Sequence, residues 1–78
     1  MLQLSERWTP RLVSQPETGM GYQIATVFLQ DGRRFEQVLI DGNVITKIKG
    51  LPQIPFAEAE IADIVVTHDK RGLIPGND

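Results

Sequence analysis

Cysteine is absent from this 78-residue chain, which excludes a disulfide scaffold and a thiolate metal site. Histidine occurs once, as His68, so an imidazole-based triad or metal cluster has a single candidate to draw on. Aromatics are few: one Trp, one Tyr and three Phe, which leaves little for bases to stack on. No apolar run approaches the ~20 residues of a membrane-spanning helix. The opening stretch Met1-Leu2-Gln3-Leu4-Ser5-Glu6-Arg7-Trp8 lacks the basic-then-apolar order of a secretory leader. These absences lead to the expectation of a cytoplasmic protein with no membrane partner, no cofactor and no inferred small-molecule substrate.

Positive charge is also in short supply. Eight Lys and Arg against ten Asp and Glu give a formal net charge of −2, which disfavours a dominant nucleic-acid role. At this length one domain is expected, burying only about 60–65% of its unfolded surface. With no staples available, closing a sheet into a barrel or self-associating is the remaining route to a larger core.

What the chain does have is three strand-like segments joined by Asp-Gly turns. Tyr22 to Gln30 leads into Asp31-Gly32, Arg33 to Ile40 leads into Asp41-Gly42, and Val44 to Lys49 follows. Asp-Gly between β-branched and aromatic stretches is a strong hairpin signal, because both central residues of a type I′ turn need positive φ. Two-residue loops at both sites pair Phe28 with Phe35, Ile24 with Leu39, Leu39 with Val44 and Phe35 with Ile48. One face then carries the rows Ile24–Leu39–Val44, Thr26–Gln37–Thr46 and Phe28–Phe35–Ile48. The other carries Ala25–Val38–Ile45, Val27–Glu36–Lys47 and Leu29–Arg34–Lys49. Glu36 faces Lys47 as a favourable cross-strand pair. Apolar residues on both faces call for a strongly coiled sheet.

Around the meander the signals are weaker. Residues 1–21 read as an irregular arm: one helical turn over Ser5–Trp8 ended by Thr9-Pro10, a short strand at Arg11-Leu12-Val13, then a Gly/Pro loop. Leu51 to Phe56 contains two prolines and is not helix interior. Phe56 to Glu60 allows one helical turn, and Ile61 to His68 reads as a last strand. The expected organisation is a single domain with a β core over 22–68 and a mobile tail over 69–78. The fold class that follows is mainly β: a small SH3-like barrel or strongly coiled antiparallel meander, with one short helical turn before the last strand.

Two resemblances accompany this reading. Val27-x-Leu29-x-Asp31-Gly32-Arg33, with Leu39 and Asp41 downstream and Ile48-Lys49-Gly50 beyond, resembles the motifs of Sm-like RNA-binding proteins. The chain departs from them at Gln37, where Sm-like proteins carry a small residue, and in the Gly/Pro loop where they place a helix. Glu17-Thr18-Gly19-Met20-Gly21-Tyr22-Gln23, the Asp31-Gly32-Arg33 hairpin and Ile54-Pro55-Phe56 followed by Ile61 are similar to short bacterial proteins of unassigned function. That similarity implies a bacterial source and assigns no activity.

No catalytic constellation stands out. His68 and Asp69 alternate across a strand and would point to opposite faces, with Asp63 five residues earlier. Glu58 and Glu60 belong to a polar turn, and Asp31 and Asp41 to the hairpins. Gly19-Met20-Gly21 lacks the Gly-Lys-Ser/Thr of a phosphate loop and precedes a strand. Ser5 and Ser14 have no histidine near in sequence. The expectation is therefore a non-enzymatic domain that contacts protein, either a partner or itself, through exposed strand edges and the aromatics Trp8, Tyr22 and Phe56. The alternative is a weak nucleic-acid-binding module whose footprint is Arg34, Lys47 and Lys49 on one sheet face, with Arg33 close by at the turn.

Overall fold

Alternating apolar positions in four of the segments produce strands, and these strands curl around a single core. The computed structural model describes residues 1–69; beyond Asp69, the expected tail lies outside the described residues. The strands are β1 (Leu2–Gln3), β2 (Tyr22–Leu29), β3 (Arg34–Asp41), β4 (Val44–Ile48) and β5 (Ile61–Val66). They form one antiparallel sheet in the order β1-β4-β3-β2-β5, curled into a half-barrel. The expected meander is β2-β3-β4, and a 3-10 turn at Glu58–Glu60 precedes the last strand as the sequence implies.

Both hairpins form, but the turn chemistry shifts their registers. In the first, Leu29 N–H donates to Arg33 O at 2.8 Å and Gly32 N–H to Leu29 O at 3.1 Å. The loop is the three residues Gln30-Asp31-Gly32. Only Gly32 takes positive φ, at 95°, the position a three-residue loop reserves for glycine. Asp31 instead folds its carboxylate back, accepting from Arg33 N–H at 3.0 Å. In the second, Gly42 (φ 58°) and Asn43 (φ 68°) are the two left-handed central residues, so Asp41 pairs with Val44 and Ile40 with Ile45. The turn sits one residue later than expected, and the pairing slides by two, which keeps Val44 and Ile45 on their expected faces; a shift at Leu39/Ile40 then leaves Thr46 extra and brings Ile48 opposite Val38, on the core face.

A bulge then changes faces. Ala25 pairs with Val38 but Val27 pairs with Phe35, so β3 carries one extra residue there, and Gln37 absorbs it at φ 55°. The extra residue inverts the alternation beyond it. Phe35 therefore pairs with Val27 and packs against the core, rather than in the expected row with Phe28, which now faces Arg34. Its ring lies 5.2 Å from that of Phe56. Phe35 is only half-buried there.

The core gathers Ala25, Val27 and Leu29 of β2, Val38 and Ile40 of β3, Ile45 and Ile48 of β4, and Ile61 and Ile64 of β5. It is completed by Leu4, Trp8 and Leu12 from the N-terminal segment and by Phe56. That segment is more ordered than the expected irregular arm. A 3-10 turn at Glu6–Trp8 runs directly into the helix α1, Thr9–Val13. Pro10 does not end the helix, because it falls in the first turn, where a missing N–H has no partner to lose. Arg11-Leu12-Val13 is helical for the same reason, and its Leu12 reaches the core four residues after Trp8 and eight after Leu4.

The N-terminal segment is also clamped to the β5 side by polar contacts. A single oxygen, Glu58 Oε2, accepts from Ser5 Oγ at 2.7 Å, Ser5 N–H at 3.3 Å, Trp8 Nε1 at 3.0 Å and Arg7 Nε at 3.5 Å. Arg7 also reaches Ile61 O at 3.0 Å and Arg11 reaches Ile64 O at 2.9 Å. Asp63 pairs with Arg11 while accepting from Ile64 N–H at 2.9 Å. Both backbone groups of Ile64 are thus taken by side chains, which blunts this edge of the sheet. At the opposite edge, β1 covers Val44 and Ile45. The two edges are less open than the meander alone would leave them.

Candidate functional site

Gln23 is the one large polar side chain on the core-facing side of β2, in alternation with Ala25, Val27 and Leu29. It is 8% exposed and must therefore be hydrogen-bonded. Its Nε2 lies 2.9 Å from Leu12 O, 3.2 Å from Gln15 O and 3.3 Å from Pro16 O. Three carbonyls around one atom fix it as the amide nitrogen. Leu12 O belongs to the end of α1, where helical carbonyls lack intrahelical partners. Gln23 thus caps the helix from the sheet and holds the chain that leaves it.

Two open depressions flank this capped end. One, of about 410 Å³, lies between α1 and the β3–β4 turn, with Leu12, Val13, Glu17, Gln23, Ile40 and Asn43 among its lining residues. The other, of about 200 Å³, runs along β5 past Arg11, Ile64, Val65 and Val66. Gln15 borders both. Each has one exposed apolar side chain in its lining, Val13 at 75% in the first and Val65 at 43% in the second.

The residues singled out in the sequence fall elsewhere. Trp8 and Phe56 are buried core members and present no contact surface, because a small half-barrel needs large side chains to plug its open side. Tyr22 is half-buried at the start of β2. The register shift places Arg34 opposite Phe28 and Lys47 opposite Leu39. Arg34 pairs with Glu36 at 3.3 Å, in place of the expected Glu36–Lys47 pair. Arg33 pairs with Asp31 at 2.8 Å and Glu60 at 3.5 Å, and lies over the Phe35 ring at 6.0 Å. Lys49 N–H donates to Gln37 O at 3.3 Å. Two of the four cations are thus already matched by carboxylates.

The titratable groups serve the fold. Hydrogen bonds from Ser5, with the Arg7 charge and the Trp8 indole adding to them, hold the Glu58 carboxyl below its usual range against the opposing effect of desolvation. Bonds from Arg33, its backbone N–H first, do the same for Asp31. His68 Nδ1 meets Thr18 Oγ1 at 2.6 Å, and that same oxygen accepts from Ile24 N–H at 2.9 Å. Among the described residues no group of three His, Asp or Glu side chains converges to hold a metal ion, and no helix is long and apolar enough to cross a membrane. Sequence reasoning missed Gln23 and the α1 surface. The available signal was a lone polar residue in an otherwise apolar alternation. No known protein family, curated protein or solved structure matches the chain.

Proposed function

We propose that the protein is a non-enzymatic interaction module, and that it contacts another protein through the surface around the end of α1. The observation that carries this reading is the pairing of two open depressions with the exposed apolar side chains Val13 and Val65 beside them. Exposed apolar side chains at the edges of polar-rimmed depressions suit a protein contact site. Open depressions suit a partner's side chains better than they suit chemistry, which needs water excluded from the reacting groups. Addition of a strand at β5 is disfavoured, since both backbone groups of Ile64 are already occupied. The contact is therefore made by side chains.

The test is a photoreactive residue at position 13, with one at position 47 as control, followed by mass spectrometry of the adducts. A defined adduct from position 13 that Val65→Asp abolishes is the expected result, with the circular dichroism spectrum unchanged. Adducts of equal yield from both positions, or none from position 13, overturn the proposal. Light scattering on the purified chain shows whether the partner is a second copy.

A further inference from the structure

The larger depression has a chemical character of its own. Glu17 is the only charged side chain among its lining residues, and neither an ion pair nor a hydrogen bond ties its carboxylate down among the described residues. Gln23 has its nitrogen committed to three carbonyls, so its Oε1 is left as an acceptor with no protein donor. No fully buried side-chain oxygen goes unpartnered among the described residues, so this oxygen is accessible, and Gln23 lines the depression. Asn43 likewise commits its Nδ2 to Leu4 O at 3.0 Å. Thr9 and Gln15 add a hydroxyl and an amide, so the lining offers donors as well as acceptors, but its one charge is negative and it is set beside the apolar Leu12, Val13 and Ile40. The volume of about 410 Å³ falls within the ~300–1,000 Å³ typical of small-ligand sites.

We infer that this depression binds a primary alkylammonium group. The ammonium supplies three donors and a positive charge to the Gln23 oxygen and the Glu17 carboxylate, and the alkyl chain lies along Leu12, Val13 and Ile40. A carboxylate ligand is disfavoured, because it would bring negative charge to Glu17 and an acceptor to the Gln23 oxygen. This site does not depend on the contact surface at Val13 and Val65 being used by a protein: a positive result here stands whatever the cross-linking at position 13 shows.

The experiment is a titration of the isotopically labelled full chain with n-pentylammonium, followed by 1H–15N correlation spectra, with n-pentanol and pentanoate as isosteric controls. Saturable shifts at millimolar ligand are expected for the Gln23 side-chain amide and the backbone amides of Gln15, Gly42 and Asn43. Glu17→Gln removes an exposed charge with no structural contact and should weaken binding by about two- to fivefold. Capped lysine serves as a second arm. Tighter binding of capped lysine than of pentylammonium assigns the site to a lysine side chain, and weaker binding assigns it to a free amine; either supports the ammonium chemistry. Equal shifts from pentanol or pentanoate, indifference to Glu17→Gln, or shifts centred on other residues overturn it.

Discussion

The meander and the N-terminal segment contribute to the same core by different means. The meander, β2 to β4, is organised by neighbours in sequence: two turns fix which strands meet, and backbone ladders hold them. Residues 1–21 contain only short elements: β1, a 3-10 turn and α1. The two-residue β1 and the five-residue α1 are far too short to be stable in isolation. They are held by partners some forty to fifty residues away: Leu4 N–H on Asn43 O, and the side chains of Ser5, Arg7, Trp8 and Arg11 on residues 58 to 64. The lesson is that a segment can look like a loose arm by local criteria and still close the barrel, when its few apolar residues are spaced to reach one core.

This contrast predicts that the most damaging substitution lies in the arm. Trp8 is 7% exposed and bonded through its indole to Glu58. Trp8→Ala should cost about 3–5 kcal/mol, the range for deleting a buried aromatic. That loss approaches the whole stability of a small domain, and urea unfolding followed by circular dichroism would record it. A cost below about 1 kcal/mol would mean that the arm is dispensable after all.

Phe35, in the meander, sharpens the comparison. The expected row sets it between Phe28 and Ile48, whereas the bulge at Gln37 leaves it half-buried against Phe56. Phe35→Ala should therefore cost roughly 2 kcal/mol, about half of what a fully buried phenylalanine would. If it destabilises as much as Trp8→Ala, the ranking of the two regions is wrong.

Glu58→Gln is expected to have the smallest effect at neutral pH, about 1–2 kcal/mol, because it weakens bonds to a charged acceptor on a partly exposed side chain. Its signature is in acid. The folded-state pKa is depressed, so this carboxylate's contribution is complete above the unfolded-state value. It disappears as the pH falls through the usual glutamate range and below. The variant should lose part of its parent's acid sensitivity, measured as the change in urea midpoint between neutral pH and acid. Identical acid slopes for the two proteins would remove Glu58 as a pH-linked clamp.

Much of the architecture was legible in the sequence for a physical reason: turn chemistry and alternation act over two to ten residues. The hairpins, the helical turn before the last strand and the curled sheet follow from such signals. The registers were not legible to the residue. Asp-Gly serves as well in a three-residue loop as in a two-residue one, and Asn43 can take the left-handed position that Asp41 was expected to share. The bulge at Gln37 had no local marker, since a glutamine gives no sign of positive φ. The spacing of Leu4, Trp8 and Leu12 was there to be read as a helical stripe, but Pro10 obscured it. The candidate site was least legible, because Gln23 acquires its role only when α1 folds back over β2.

Native-state hydrogen exchange tests the unity of the two regions most directly. It would compare the Leu4 amide and the Trp8 indole N–H in the arm with the amide of Val27 in an interior strand. If the arm closes the barrel, all three exchange through the same global opening, with equal free energies that fall together as denaturant is added. Rapid, denaturant-independent exchange at Leu4 and Trp8 while Val27 stays protected would contradict this, and would show a meander that folds without its N-terminal segment.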